Sequence, residues 1–122
     1  EDIAELKAIL QYCDINVNMC STMSLDFMLF DKPVINTVFG NKHNGRYDDQ
    51  RFLNYEHYVN VIKSGAVKIA KDEDELIMAL NTYLENPDLD SENRKLLIQK
   101  EIGEDLDKTT NYCVSALKKI IE

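Results

Sequence analysis

The run Asn18-Met19-Cys20-Ser21-Thr22-Met23-Ser24-Leu25-Asp26-Phe27-Met28-Leu29-Phe30-Asp31-Lys32-Pro33-Val34-Ile35 decides the fold. Before it, Asp14-Ile15-Asn16-Val17-Asn18-Met19 alternates polar and apolar residues and is rich in β-formers, which predicts a strand. Cys20-Ser21-Thr22 supplies small and capping residues, and Met23, Leu25, Phe27, Met28, Leu29 and Phe30 then form an apolar set that predicts a short buried helix. Pro33 disfavours helical backbone in the residue before it, so this helix stops near Asp31-Lys32. Val34-Ile35-Asn36-Thr37-Val38-Phe39 follows as a second strand, apolar on both faces and therefore covered by helices on both sides.

Outward from this unit the pattern repeats. Ile3, Leu6, Ile9 and Leu10 recur at helical spacing and predict an amphipathic helix over about 2–12. The polar stretch from Gly40 to about Gln50 holds two of the four glycines and reads as a long loop. A helix over about 51–63 leads through Ser64-Gly65 to a third strand, Ala66–Ala70. Asp72 then caps a helix with Glu75 at its third position, a carboxylate form of the capping box, with Leu76, Leu80, Tyr83 and Leu84 as the buried stripe. Two further helices are expected over about 90–102 and 105–121, divided at Gly103. Helix and strand alternating in this order predict an α/β fold: a partial doubly wound (Rossmann-like) parallel sheet of about three strands, with flanking helices and a helical C-terminus. A doubly wound domain normally has five or six strands, so residues 1–122 are expected to be the second half of one, part of a longer chain.

Composition narrows the partners. The 122 residues carry 14 Lys and Arg against 22 Asp and Glu, a formal charge of −8, which repels phosphate backbones and anionic lipid surfaces. Nucleic acid is disfavoured as a partner. A single anionic ligand is not, since a helix start binds phosphate without net positive charge. The apolar runs are short and interrupted, so no membrane span is expected, and the absence of a signal-peptide pattern places the chain in the cytoplasm. Cys13, Cys20 and Cys113 have neither zinc-site spacing nor disulfide-scaffold density and are read as reduced, with no metal site.

In open parallel sheets ligands sit beyond the carboxyl ends of the strands. There the Ser21-Thr22-Met23 turn opens a helix whose N–H groups and two hydroxyls suit a pyrophosphate, unless the hydroxyls merely cap the helix. Asp26 stands one turn beyond Thr22 on the same face, where a carboxylate can accept both hydroxyls of a ribose, or lie exposed. His57 is a candidate phosphate donor or general acid/base on the helix at 51–63, and equally a partly buried helix residue. Lys42, His43 and Arg46 in the long loop are possible diphosphate partners. No trio of residues suggests a hydrolytic triad.

The run at 18–35 resembles the carboxyl-terminal, nucleotide-sugar-binding domains of GT-B glycosyltransferases, including polysaccharide- and glycerophosphotransferase-like and nucleotide-sugar epimerase-like relatives. Those domains carry a small-residue loop after a strand, an acidic residue seven before a proline, and a Gly/Asp-x-Pro turn. Asp26 stands seven before Pro33, although the family's acid is usually the longer Glu. The resemblance implies that Ser21, Thr22 and Met23 hold the donor diphosphate and Asp26 the ribose. It also implies that Asp49 and Gln50, followed by Asn54 and Ser64-Gly65, contact the donor sugar. It implies a UDP- or CDP-linked donor, no resident cofactor, a missing N-terminal domain that completes the acceptor side, and a role in polysaccharide or glycoconjugate synthesis. The chain alone is then inactive. Other readings of the same residues are a non-catalytic α/β interaction or regulatory module and half of an epimerase. Loss of a neighbour beside the strand at 14–19, with the apolar faces at 2–12 and 22–30 uncovered, favours a homodimer.

Overall fold

The computed structural model describes residues 2–40 and 49–121. The order is α1 (Asp2–Tyr12), β1 (Asn16–Asn18), α2 (Met23–Met28), β2 (Val34–Thr37), a 3-10 helix (Asp49–Asn54) and α3 (Val59–Lys63). Then come β3 (Lys68–Ala70), α4 (Glu73–Glu85), α5 (Ser91–Glu101), a 3-10 turn (Leu106–Lys108) and α6 (Thr109–Ile121). The three strands form one parallel sheet in the order β1-β2-β3, with Val17 opposite Ile35 and Asn36 opposite Ile69. This is the α/β architecture expected from the sequence.

The two faces of β2 explain its composition. Val34 and Val38 join a core with Leu10, Phe27, Met28, Tyr58, Val61 and Leu97, supplied by α1, α2, α3 and α5. Ile35 turns to the other face and packs with Ala70 of β3 and with Ala79 and Tyr83 of α4. Alternation puts consecutive side chains on opposite faces, so a central strand covered on both buries nearly every side chain, here Val34, Ile35 and the polar Asn36 alike. α4 begins as predicted: Asp72 accepts from the Glu75 N–H at 2.8 Å, and the Glu75 carboxylate reaches back to the Lys71 N–H at 2.7 Å.

Several boundaries differ from the sequence reading. Each strand is shorter than its β-forming run, because only the segments in mutual register pair: 16–18 rather than 14–19, 34–37 rather than 34–39, 68–70 rather than 66–70. The single helix expected over 51–63 is instead a 3-10 helix, a turn and α3. Phe52, Tyr55 and Tyr58 recur every three residues, which suits the 3-10 repeat. Their backbone bonds run Tyr55 N–H to Phe52 and Tyr58 N–H to Tyr55, and the Phe52 and Tyr55 rings meet edge to face at 5.2 Å. On α4 the buried stripe is Leu76, Ala79, Leu80 and Tyr83, and Leu84 is exposed, since Leu84 lies a further 100° around the helix from Tyr83. On α1 only Leu10 is buried, leaving Ile3 84% exposed with Leu6 and Ile9 partly so.

The Asp31-Lys32-Pro33 turn is anchored from far along the chain. Asp31 has φ 53°, a left-handed conformation that Asp tolerates better than most residues. Its carboxylate accepts from Arg94 Nε at 2.8 Å and from Ser91 Oγ at 2.6 Å. Arg94 is fully buried and also donates to the Leu89 and Pro87 carbonyls at 2.7 and 3.0 Å. A fork of fixed donors thereby satisfies three acceptors at once and fastens α5 over α2.

Candidate functional site

The carboxyl ends of the strands bring together a set of polar side chains that the sheet itself positions. Asn18 and Asn36 are register partners on β1 and β2, so their side chains emerge together on one face. Asn18 Nδ2 donates to Ser24 Oγ at 3.0 Å, Ser24 Oγ lies 2.6 Å from the Tyr58 hydroxyl, and Tyr58 donates to Asn36 Oδ1 at 3.0 Å. Asn36 Nδ2 then donates to Asn18 Oδ1 at 3.0 Å. With the Tyr58 proton on Asn36, Ser24 donates to Tyr58, and the four groups form a closed ring in which each donates to the next. Ser24, Asn36 and Tyr58 are fully buried. A ring of this kind satisfies every member in a low-dielectric setting where an unmatched group is costly.

The ring also reaches the loop. Asn18 Oδ1 accepts from the Ser21 N–H at 2.8 Å, and Asn18 Nδ2 bonds Asn16 Oδ1 as well. Cys20, between them, adopts φ 53° with its side chain buried. The turn after β1 is thus held by a β1 side chain and committed to one left-handed residue. Burial pushes the Cys20 thiol up from its ordinary value of 9.0 to about 11. Burial likewise raises the Tyr58 phenol to about 12, with the bonds to Ser24 and Asn36 pulling the other way. Both groups stay protonated near neutrality: Cys20 is no thiolate nucleophile, and Tyr58 is a hydrogen-bond donor.

The residues singled out from the sequence fall around this ring. Ser21 and Thr22 are exposed at its rim. The Ser21 hydroxyl accepts from the Met23 N–H at 3.2 Å, and its carbonyl accepts from the Ser24 N–H. Thr22 occupies the N-cap position of α2 without a side-chain cap bond, and its hydroxyl makes no hydrogen bond among the described residues. Met23 is partly buried against the core. Asp26, partly buried one turn along α2, makes no hydrogen bond among the described residues. Asp49 is buried, and a Cβ on Gly40, just past β2, would lie 3.8 Å from its Oδ2; Gln50 beside it is exposed. Thus Ser21, Thr22, Met23 and Asp26 share the β1 end, and Asp49 stands at the β2 end.

His57 is placed differently from expectation. It lies in the turn before α3 rather than on a helix, is exposed, and stacks on Tyr55 with ring centres 5.5 Å apart. Tyr58, its neighbour, carries the inward contact instead. Lys42, His43 and Arg46 lie outside the described residues. The four ring members Asn18, Ser24, Asn36 and Tyr58 were not among the sequence candidates. Their signal was Asn36 within an otherwise apolar strand, with Asn18 as a polar position of the alternating strand before it.

Among the described residues no group of His, Cys, Asp or Glu is arranged to hold a metal ion, and no helix is long and apolar enough to cross a membrane. The fold and site together define a small parallel α/β unit with a polar cluster at its strand ends. No protein-family model, curated protein or solved structure matches the chain.

Proposed function

We propose that this chain is the donor-binding part of a glycosyltransferase, taking the diphosphate of a UDP- or CDP-linked sugar on the Ser21-Thr22 turn and the ribose on Asp26. The observation that carries the reading is the unspent polar rim at the end of β1. The Thr22 hydroxyl and the Asp26 carboxylate have no hydrogen-bond partner among the described residues, while the groups beneath them are locked in the Asn18–Ser24–Tyr58–Asn36 ring. A fixed turn with free hydroxyl and carboxylate groups loses little entropy on binding a ligand. The start of α2 contributes less than the sequence implied. Met23, Ser24 and Leu25 N–H groups already have acceptors in the chain, so the hydroxyls and the Thr22 N–H carry the phosphate contact. The acceptor side of the reaction belongs to another domain, and the chain alone has no turnover, because transfer needs both substrates held in line.

A second reading, a non-catalytic α/β interaction module, is favoured by the Ser21 hydroxyl, which is occupied by the Met23 N–H as an ordinary capping group would be. Titration with UDP and CDP, followed by amide chemical shifts, separates the two. The donor-site reading expects shifts centred on residues 20–26 and an affinity about tenfold lower in Asp26→Ala, as for loss of one charge-assisted bond. Silence of those amides at millimolar nucleotide leaves the interaction module standing.

A further inference from the structure

Two helices of this chain present apolar faces that the rest of the fold does not use. Every described side chain of α6 is exposed, including Val114, Leu117 and Ile120, so nothing among the described residues covers it. Cys113, Leu117 and Ile120 recur at the spacing of one helical face. α1 offers Ile3, Leu6 and Ile9 beside its one buried residue, Leu10. Exposed apolar faces of this kind on surface helices mark an interaction site.

Charge and length say what fits. α1 carries Asp2 and Glu5 in its first turn and no basic residue in its last. α6 has no acidic residue at all and carries Lys118 and Lys119 in its last turn. At about 1.5 Å per residue the two helices are roughly 16 and 20 Å long, a close match. Laid antiparallel, the acidic start of α1 meets the basic end of α6, and their dipoles oppose favourably. Laid parallel, the charges fall at opposite ends.

We infer that α6 of one copy docks antiparallel on α1 of a second copy, and reciprocally, to give a two-fold dimer. A closed two-fold arrangement uses both faces on both chains, as an isologous interface must. The expected β1 edge pairing is not needed for it, and α5 already covers much of α2. The inference stands apart from the nucleotide reading, since it involves none of the strand-end residues.

One geometric consequence is specific. In the antiparallel register the end of α1 lies over the start of α6, which brings Cys13 of one chain near Cys113 of the other. Both are exposed free thiols, and Cys20 is buried. The test treats the full chain with a short bis-maleimide and maps the product by mass spectrometry, beside sedimentation velocity from low to high micromolar concentration. The expected result is a dimer whose covalent product joins Cys13 to Cys113 between chains. Leu117→Glu abolishes both. Because that side chain touches no core residue, circular dichroism stays unchanged. Lys118→Glu with Lys119→Glu weakens association about tenfold, and Asp2→Lys with Glu5→Lys in the same chain restores it. A monomer at high micromolar concentration, a Cys13–Cys113 link within one chain, or a dimer indifferent to Leu117→Glu overturns the inference.

Discussion

Replacing Tyr58 by Phe removes one oxygen from the closed ring and leaves the ring shape intact. The cost follows from who loses a partner. Ser24 keeps the Asn18 amide as donor at 3.0 Å. Asn36 Oδ1 is fully buried and loses the Tyr58 hydroxyl, its donor in the ring. One buried acceptor left unmatched costs on the order of 1–3 kcal/mol, and loss of the Ser24 contact adds little because that hydroxyl re-aims toward Asn18, 3.4 Å away. About 2 kcal/mol is therefore expected, a large share of the stability of a domain this size. The decisive comparison is Tyr58→Phe combined with Asn36→Leu. With both partners apolar no acceptor is stranded between them, and Asn18, half-buried at the edge strand, keeps the Ser21 N–H and reaches water. The double variant is then less destabilised than the sum of the two singles by about 1–2 kcal/mol. Urea unfolding with a shared slope measures this. A Tyr58→Phe cost below about 0.5 kcal/mol, the scatter of surface substitutions, would show that the ring is not closed as described.

Arg94→Met should cost about 3 kcal/mol, because it strands the Pro87 and Leu89 carbonyls and the Asp31 carboxylate together, while Asp31, partly exposed, recovers some solvation; chemical denaturation reads it directly. Stability should also fall in alkali. Cys20 and Tyr58 hold their protons in the fold to about 11 and 12, and Tyr83 is raised as well, whereas the unfolded chain releases them from about 9 and 10. Raised folded values mean stability that is complete below about pH 9 and is lost as pH rises toward 12, at up to about 1.4 kcal/mol per pH unit for each group. Unfolding midpoints across that range check the sign, and Cys20→Ala should remove the earliest part of the decline.

The sheet was legible because its signals are local. Val34-Ile35 apolar on both faces and Asp72 with Glu75 as a capping box each act within a few residues and appear where expected, whereas the helix expected to run to Asp31-Lys32 before Pro33 already ends at Met28. The turn at Asp31 was legible as a stop but not as an anchor. Its partner Arg94 lies far along the chain, and a buried arginine looks like any surface arginine until α5 is placed. The same holds for the polar ring. Asn18 is an ordinary polar position of an alternating strand and Asn36 lies in a strand read as apolar on both faces, and only the register that pairs them makes them one feature. Tyr58 was passed over for His57 because the helical period assumed for 51–63 turned the wrong residue inward. The aromatic spacing of three, at Phe52, Tyr55 and Tyr58, contained the correction.

The strand order β1-β2-β3 follows the chain order, and this bears on how the molecule acquires its shape. Each strand joins the sheet beside the one made just before it, so no later segment must be threaded between two earlier ones. The widest gap that a strand pairing closes runs from Asn36 to Ile69, and the first closes from Asn16 to Val34. Closing short gaps before long ones keeps the entropy lost at each step small, and chains that do so fold quickly for their content of parallel sheet. Assembly can therefore proceed as residues leave the ribosome, with β1, α2 and β2 already seated when α5 arrives to lock Asp31.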